Sequence, residues 1–309
     1  MPELPEVETI ARGLARRVSG DVIESIWLGE KPEPLKSPAK KIAATLENSR
    51  IVAVRRMGKH IVFDLAKTSG ARALLPAKSQ YTKTGSKLRT SPAMQAEANE
   101  RVRPKQIDSP QLRAQWIVHL GMTGRLQVCE PRSEILKHTH AILKLASGRE
   151  LRFVDPRRFG RLSVSSEFEA AGIEPLEAEL DRFIPLFRGR KTPIKSALLN
   201  QKLLRGVGNI YADESLFRAG IRPRRRAWTI PRARLARLLD AIKEVLREAI
   251  ALGGSSISDY VDADGEAGFF QLQHQVYGRE GEPCLVCKTP IKRIVIAGRS
   301  SHYCPKCQK

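Results

Sequence analysis

CLVCKTPIKRIVIAGRSSHYCPKC, residues 284–307, is the stretch with the most specific spacing in the chain. Two Cys-x2-Cys knuckles, Cys284/Cys287 and Cys304/Cys307, are separated by sixteen residues. That spacing lets four thiolates close on one tetrahedral zinc ion. A redox dithiol accounts for only one of the pairs, and disulfides or free thiols are the competing readings. Between the knuckles, Ile291–Ala297 and Ser301–Tyr303 alternate as two strands, with Gly298-Arg299 at the turn. Four protein ligands leave no position for substrate water, so the expected ion is structural. Arg299 at the hairpin tip reads equally as a cation entering a groove or as a solvated turn residue. The fifth cysteine, Cys129, stands alone and reads as a small strand residue.

Working back from this module, the chain is helical. A long helix is expected from Pro231, with Leu235, Leu238, Leu239, Ile242, Leu246 and Ile250 on one face and a stop at Gly253-Gly254. A short one spans Tyr211 to Ala219. Another starts at Pro193, capped by Thr192, with Ile194, Leu198 and Leu203 as its apolar face. Before Gly172 the pattern is strand-like: Val22–Leu28, Ile51–Val54, Ile61–Leu65, Gln115–Val118, Leu126–Val128, Ala141–Leu145, Leu151–Val154 and Arg161–Val164. A single helix, Pro5–Val18, precedes them, with Val7, Ile10, Leu14 and Val18 at helical spacing. Strands followed by helices argue for an α+β, two-domain chain. The expected boundaries are a sheet domain at 1–172, a linker at 173–191, a helical domain with a following loop at 192–270, and the cysteine module at 271–309.

The chain has 309 residues, with 54 Lys and Arg against 33 Asp and Glu, a net charge of +21. Such a balance favours a polyanion, nucleic acid before membrane, because each cation on a phosphate releases a counterion. No window approaches the roughly 18 apolar residues of a spanning helix, and MPELPEVETI lacks the pattern of a secretory signal. The chain reads as soluble and intracellular. Seven of the net charges sit in Lys67–Arg113, which holds ten basic and three acidic residues and no sustained period. It reads as a flexible basic insertion, with a weak helix near Met94–Glu100.

Pro2 follows the initiator Met, whose removal would expose a secondary amine. Such an amine can attack a carbonyl-like carbon and form an iminium, and Glu3 beside it is a candidate acid or base. The plainer reading is that Met-Pro-Glu merely starts a helix.

MPELPEVET (1–9), HLGMTGRL (119–126), DPRRFGR (155–161), KLLRGVGNIYADESLFRAGI (202–221) and the four cysteines together resemble bacterial formamidopyrimidine-DNA glycosylase, in the endonuclease VIII superfamily. The resemblance covers the chain except Lys67–Arg113. It implies an N-terminal β-sandwich with an N-terminal helix, then a helix–two-turn–helix domain with a zinc-ribbon hairpin, and damaged double-stranded DNA in the cleft between. It also implies excision of 8-oxoguanine and formamidopyrimidines, with cleavage of the abasic site by β,δ-elimination. Pro2 would then be the nucleophile on C1′ and Glu3 the acid that helps open the sugar. Lys59, Lys195, Asn209 and Arg299 would hold phosphates, with His119 at the DNA interface. Met122, Arg157 and Phe159 would fill the gap left by the extruded base. Glu6, Glu214 and Glu266 would line the lesion pocket, Glu266 in the covering loop VDADGEAGFF (261–270). Cys284, Cys287, Cys304 and Cys307 would hold the one zinc. The implied enzyme is a monomer in the bacterial cytoplasm, associated with the nucleoid.

Endonuclease VIII-type specificity for oxidised pyrimidines is one competing reading, and a non-catalytic zinc-ribbon DNA-binding protein is a second. The first is disfavoured by PELPEVET, since the sister enzyme starts PEGPE, and the second by the intact Pro2-Glu3. The insertion departs from the family, in which a short turn joins the flanking strands. Deleting it should flatten the dependence of DNA affinity on salt and leave single-turnover excision intact. Loss of excision in that variant would mean that the segment is structural.

Overall fold

The computed structural model describes residues 2–68, 114–256 and 268–309. Most of the basic insertion, with its expected Met94–Glu100 helix, and most of the covering loop with Glu266 lie outside the described residues.

The first helix, α1 (Leu4–Val18), begins with Pro5 in its first turn and closes its N-terminus with a Glu3/Glu6 capping box. The strands of the sheet domain are β1 (Val22–Leu28), β2 (Ser49–Met57), β3 (His60–Lys67), β4 (Ala114–His119), β5 (Arg125–Cys129), β6 (Thr139–Leu145), β7 (Glu150–Val154) and β8 (Arg161–Ser165). A short helix, α2 (Ala39–Leu46), intervenes between β1 and β2 and was not expected from the sequence. It buries only Ile42 and Leu46, too few apolar positions for a clear period.

All eight strands are hydrogen-bonded in the order β5-β7-β6-β1-β2-β3-β4-β8, each neighbouring pair antiparallel. Strand β1 is the corner. Val22 and Ile23 pair with β2, and past a bulge at Ile23/Ser25 the strand continues along β6. Bulges at strand switches turn a continuous sheet into two facing layers. The layers share one core, to which both edge strands contribute, through Leu126 of β5 and Leu162 of β8. Strands β3 and β4 are direct partners, His60 opposite His119 at one end and Leu65 opposite Ala114 at the other. The basic insertion therefore connects two adjacent strands of an intact ladder.

The helical domain contains α3 (Leu180–Phe183), α4 (Ile194–Leu198), α5 (Asn209–Arg218) and α6 (Arg232–Ala251). The stretch 173–191, expected as a linker, holds α3 and sends Ala178, Phe183 and Phe187 into the helical core. Helix α4 is only five residues long, so Leu203 falls outside it, in the turns that lead into α5. Thr192 makes no cap, and Pro193 takes the N-cap position. The hairpin β9 (Lys292–Ile296) and β10 (Arg299–Tyr303) follows. Its turn is Ala297-Gly298, both at positive φ, which moves Arg299 from the tip to the first position of β10, opposite Ile296.

Helix α1 belongs to both domains. Val7, Ile10, Leu14 and Val18 lie in the sheet core, whereas Leu4 is fully buried in the helical core. Its amide donates to the Gly206 carbonyl at 3.0 Å. A Cβ at Gly206, where φ is +89°, would come within 2.8 Å of the Leu4 side chain. Arg56 of β2 adds a second tie, pairing with Glu8 at 2.6 Å and with Glu174 at 2.9 Å. Leu4→Ala is expected to destabilise the chain by about 3 kcal/mol, through lost burial and the cavity left behind. Urea unfolding measures this, and a loss below about 1 kcal/mol would mean the helical domain does not depend on α1.

Candidate functional site

The first turn of α1 and the start of α5 meet where the domains join. Pro2 is buried and Glu3 is 4% exposed. The Glu3 carboxylate lies flat against Gly208, where any Cβ would overlap it. One oxygen accepts a hydrogen bond from the Ile210 amide at 3.3 Å, at the positive end of α5. The other, Oε2, is buried without a partner. The GVGN segment thus offers its helix N-terminus to a carboxylate of the chain itself. Burial pushes the Glu3 pKa up to about 7, against the Lys59 ammonium and with help from Glu6. A carboxyl poised there can give or take a proton at neutral pH.

Glu6 anchors this turn. Its carboxylate accepts hydrogen bonds from the Glu3 amide at 2.8 Å, the Ser255 amide at 2.8 Å and the Tyr211 hydroxyl. Burial raises its pKa, and those donors act in the opposite direction. Lys59, in the turn between β2 and β3, is 9% exposed. Its pKa is lowered, mainly by burial and in part by Arg299, while Glu3 and Glu6 work to raise it. Glu3, Glu6, Lys59 and Arg299, drawn from separate parts of the sequence, therefore form one electrostatic cluster, with Pro2 adjoining Glu3 in the chain.

A second group lies on the loops after β4 and β7. Met122 is 41% and Phe159 52% exposed, unusually open for large apolar side chains. The Arg157 guanidinium sits 4.9 Å above the Phe159 ring. Asp155 holds the two loops together, accepting from Thr123 Oγ1 at 2.6 Å and from the Gly160 amide at 2.7 Å. Both of its oxygens are committed to these donors. His119 accepts the Gly121 amide on Nδ1 at 3.0 Å, leaving Nε2 as its donor. Burial, then His60, lowers its pKa to about 4, so it is neutral under ordinary conditions.

Three of the expected site residues are bonded to partners inside the fold. Glu214 is fully buried, and its carboxylate accepts the consecutive amides of Gln275, Val276 and Tyr277 at 2.8–3.0 Å. It shapes the segment leading to the cysteine module. Lys195 is also fully buried, 2.7 Å from Asp213 Oδ1 and donating to the Ser300 carbonyl at 2.6 Å. Asn209 donates to Ser300 Oγ at 3.3 Å and bonds the Tyr277 hydroxyl, while its Oδ1 is buried without a partner. Tyr211, Asp213, Ser255 and Gly208 were not anticipated; their importance is in partners distant in sequence.

The four cysteine sulfurs lie within 4.8 Å of one another, with Cys284–Cys307 at 3.9 Å and Cys287–Cys304 at 3.4 Å. Bonds of ~2.3 Å to a tetrahedral ion require sulfurs ~3.8 Å apart. The cluster fits a metal, and none of the five cysteines is in a disulfide.

Because the folded-state pKa of Glu3 is raised, the folded chain holds this proton more tightly than the unfolded one. Stability attributable to Glu3 is therefore present below about pH 4.5 and is lost as pH rises to about 7. Glu3→Gln should remove a penalty of about 3 kcal/mol at pH 8 and almost none at pH 4. Thermal melts of both proteins across that range check this, and a pH-independent difference would refute it.

Residues 1–162 match the formamidopyrimidine-DNA glycosylase N-terminal domain, 171–261 its H2TH domain, and 281–309 the zinc finger found in FPG and IleRS. The chain is 42% identical to formamidopyrimidine-DNA glycosylase of Solibacter usitatus and 38% identical to that of Gluconobacter oxydans, over the full length of each chain. Its fold is similar to a Lactococcus lactis FPG mutant in complex with Fapy-dG-containing DNA, at TM-score 0.80, 30% identity and full coverage of both chains. It is also similar to the MutM (FPG) protein of Thermus thermophilus, at TM-score 0.76 and 36% identity, covering 99% of this chain and 98% of that one. Among the described residues no helix is long and apolar enough to cross a membrane. With these matches spanning sheet domain, helices and cysteine module alike, the chain belongs to the formamidopyrimidine-DNA glycosylase family.

Proposed function

We propose that the chain is a base-excision repair glycosylase with abasic-site lyase activity, acting on 8-oxoguanine and formamidopyrimidines in duplex DNA. The observation that carries this reading is the burial of Glu3, with a pKa of about 7, beside Pro2 and Lys59 where the domains meet. Once Met1 is removed, the Pro2 amine attacks C1′ of the flipped nucleotide. The C1′–N bond breaks and the base leaves with its electron pair. As the C1′–O4′ bond opens, O4′ takes the Glu3 proton, and loss of the amine proton leaves the iminium. Elimination then expels the 3′ phosphate and afterwards the 5′ phosphate.

An enzyme cannot reach C1′ inside a stacked duplex, and flipping the nucleotide costs about a few kcal/mol. The exposed Met122 and Phe159, with Arg157 over the ring, suit the gap that flipping leaves. Lys59, Asn209 and Arg299 are the proposed phosphate contacts, with His119 as a neutral donor, and Glu6 lines the lesion pocket. In that pocket Glu266 would join Glu6 from the covering loop. Zinc on Cys284, Cys287, Cys304 and Cys307 would fix the hairpin geometry, since metal binding and folding are coupled in such modules. The enzyme works as a monomer on nucleoid DNA in the bacterial cytoplasm.

Borohydride reduction on an 8-oxoguanine duplex should trap a covalent adduct of one chain and one DNA strand. Absence of an adduct from protein whose mass confirms loss of Met1 would overturn the mechanism.

A further inference from the structure

The Lys195 ammonium has no exposure and faces two acceptors, the Asp213 carboxylate at 2.7 Å and the Ser300 carbonyl at 2.6 Å. Asp213 is equally buried, and its other oxygen accepts the His302 amide at 2.9 Å and lies 3.3 Å from His302 Nδ1. Asn209 adds its bond to Ser300 Oγ at 3.3 Å. Side chains of α4 and α5 thus grip β10 at alternate residues, 300 and 302. Arg299, the adjoining residue, is exposed and lies close enough to Lys59 to lower its pKa.

A phosphate ligand has to present its charge to solvent. Lys195 does not, and turning it outward would leave Asp213 buried and unpaired, a strongly unfavourable state. An ammonium already neutralised by a carboxylate also adds little to the attraction of a polyanion. We propose that Lys195 and Asp213 are positioning residues, a buried ionic clamp that fixes β10 so that Arg299 meets a DNA phosphate, and that Lys195 does not itself hold one. This rests on the proposed function, in that it takes Arg299 as a phosphate contact.

Asp213→Asn gives a test by sign. Removing an acid should strengthen attraction to DNA unless that acid is structurally needed. The probe is a duplex containing a tetrahydrofuran abasic analogue, with zinc content measured for each full-length variant. We expect Asp213→Asn and Lys195→Met each to weaken binding about tenfold, and neither to weaken it further in an Arg299→Ala background. Amide hydrogen exchange at residues 300–303 should speed up in both, with zinc retained. The doubly neutral variant, Lys195→Met with Asp213→Asn, removes both buried charges and serves if a single variant fails to fold.

The clamp is overturned if Asp213→Asn binds as tightly as the parent or better. It is also overturned if Lys195→Met lowers the salt slope by about one further ion when added to Arg299→Ala. Unchanged exchange at 300–303 would overturn it without reference to DNA. If Arg299→Ala alone binds like the parent, the phosphate reading of Arg299 fails, and the exchange measurement by itself decides whether the clamp exists.

Discussion

Everything at the centre of the molecule depends on how the first turn of α1 is held. A chain terminus ordinarily frays, since few contacts oppose its conformational entropy. Here Leu4 is buried among side chains of the other domain, and the Glu6 carboxylate gathers donors from Glu3, Tyr211 and Ser255. The turn is therefore a wedge between domains rather than a free end. Desolvating Glu6 is unfavourable on its own and is tolerated because its oxygens accept several hydrogen bonds. That anchoring fixes Glu3 and Pro2 relative to Lys59.

The remaining buried acids follow a similar logic. Asp155 joins the loops bearing Met122 and Phe159, Glu214 gathers three backbone amides ahead of the hairpin, and Asp213 grips the hairpin itself. Each spends its oxygens on donors from another segment. Glu3 differs, because no donor faces its Oε2, whereas the Asp213 oxygen left without a hydrogen bond is paired with the Lys195 ammonium at 2.7 Å. A buried polar atom left unsatisfied is unfavourable in the resting chain, and such sites are retained where chemistry uses them. The contrast separates the group suited to proton transfer from the acids that frame it.

Much of this was legible in the sequence. Alternation located the eight strands, helical spacing located α1 and α6, and the cysteine spacing named a four-sulfur cluster that the fold brings together. What failed did so for physical reasons. Helix α2 buries two side chains and leaves almost no period, and α4 is too short to carry Leu203. The partners that bury Lys195 and Glu214 were not legible, because a charge shows nothing in sequence of the group that pairs with it. The meeting of Glu3 with Gly208 and Ile210 is a contact across 207 residues of chain, which periodicity cannot supply.

The register of β3 and β4 has an engineering consequence. The insertion leaves the ladder at the Leu65–Ala114 end, while Lys59 and His119 occupy the other end. The length of a strand, about 20 Å, separates the two. Loop-closure entropy grows only with the logarithm of length, so this connection is a thermodynamically forgiving place for added sequence. A fluorescent or affinity module spliced there would join the sheet domain at the strand ends farther from Lys59 and His119. A tag fused ahead of Pro2 would instead turn the proposed nucleophilic amine into an amide.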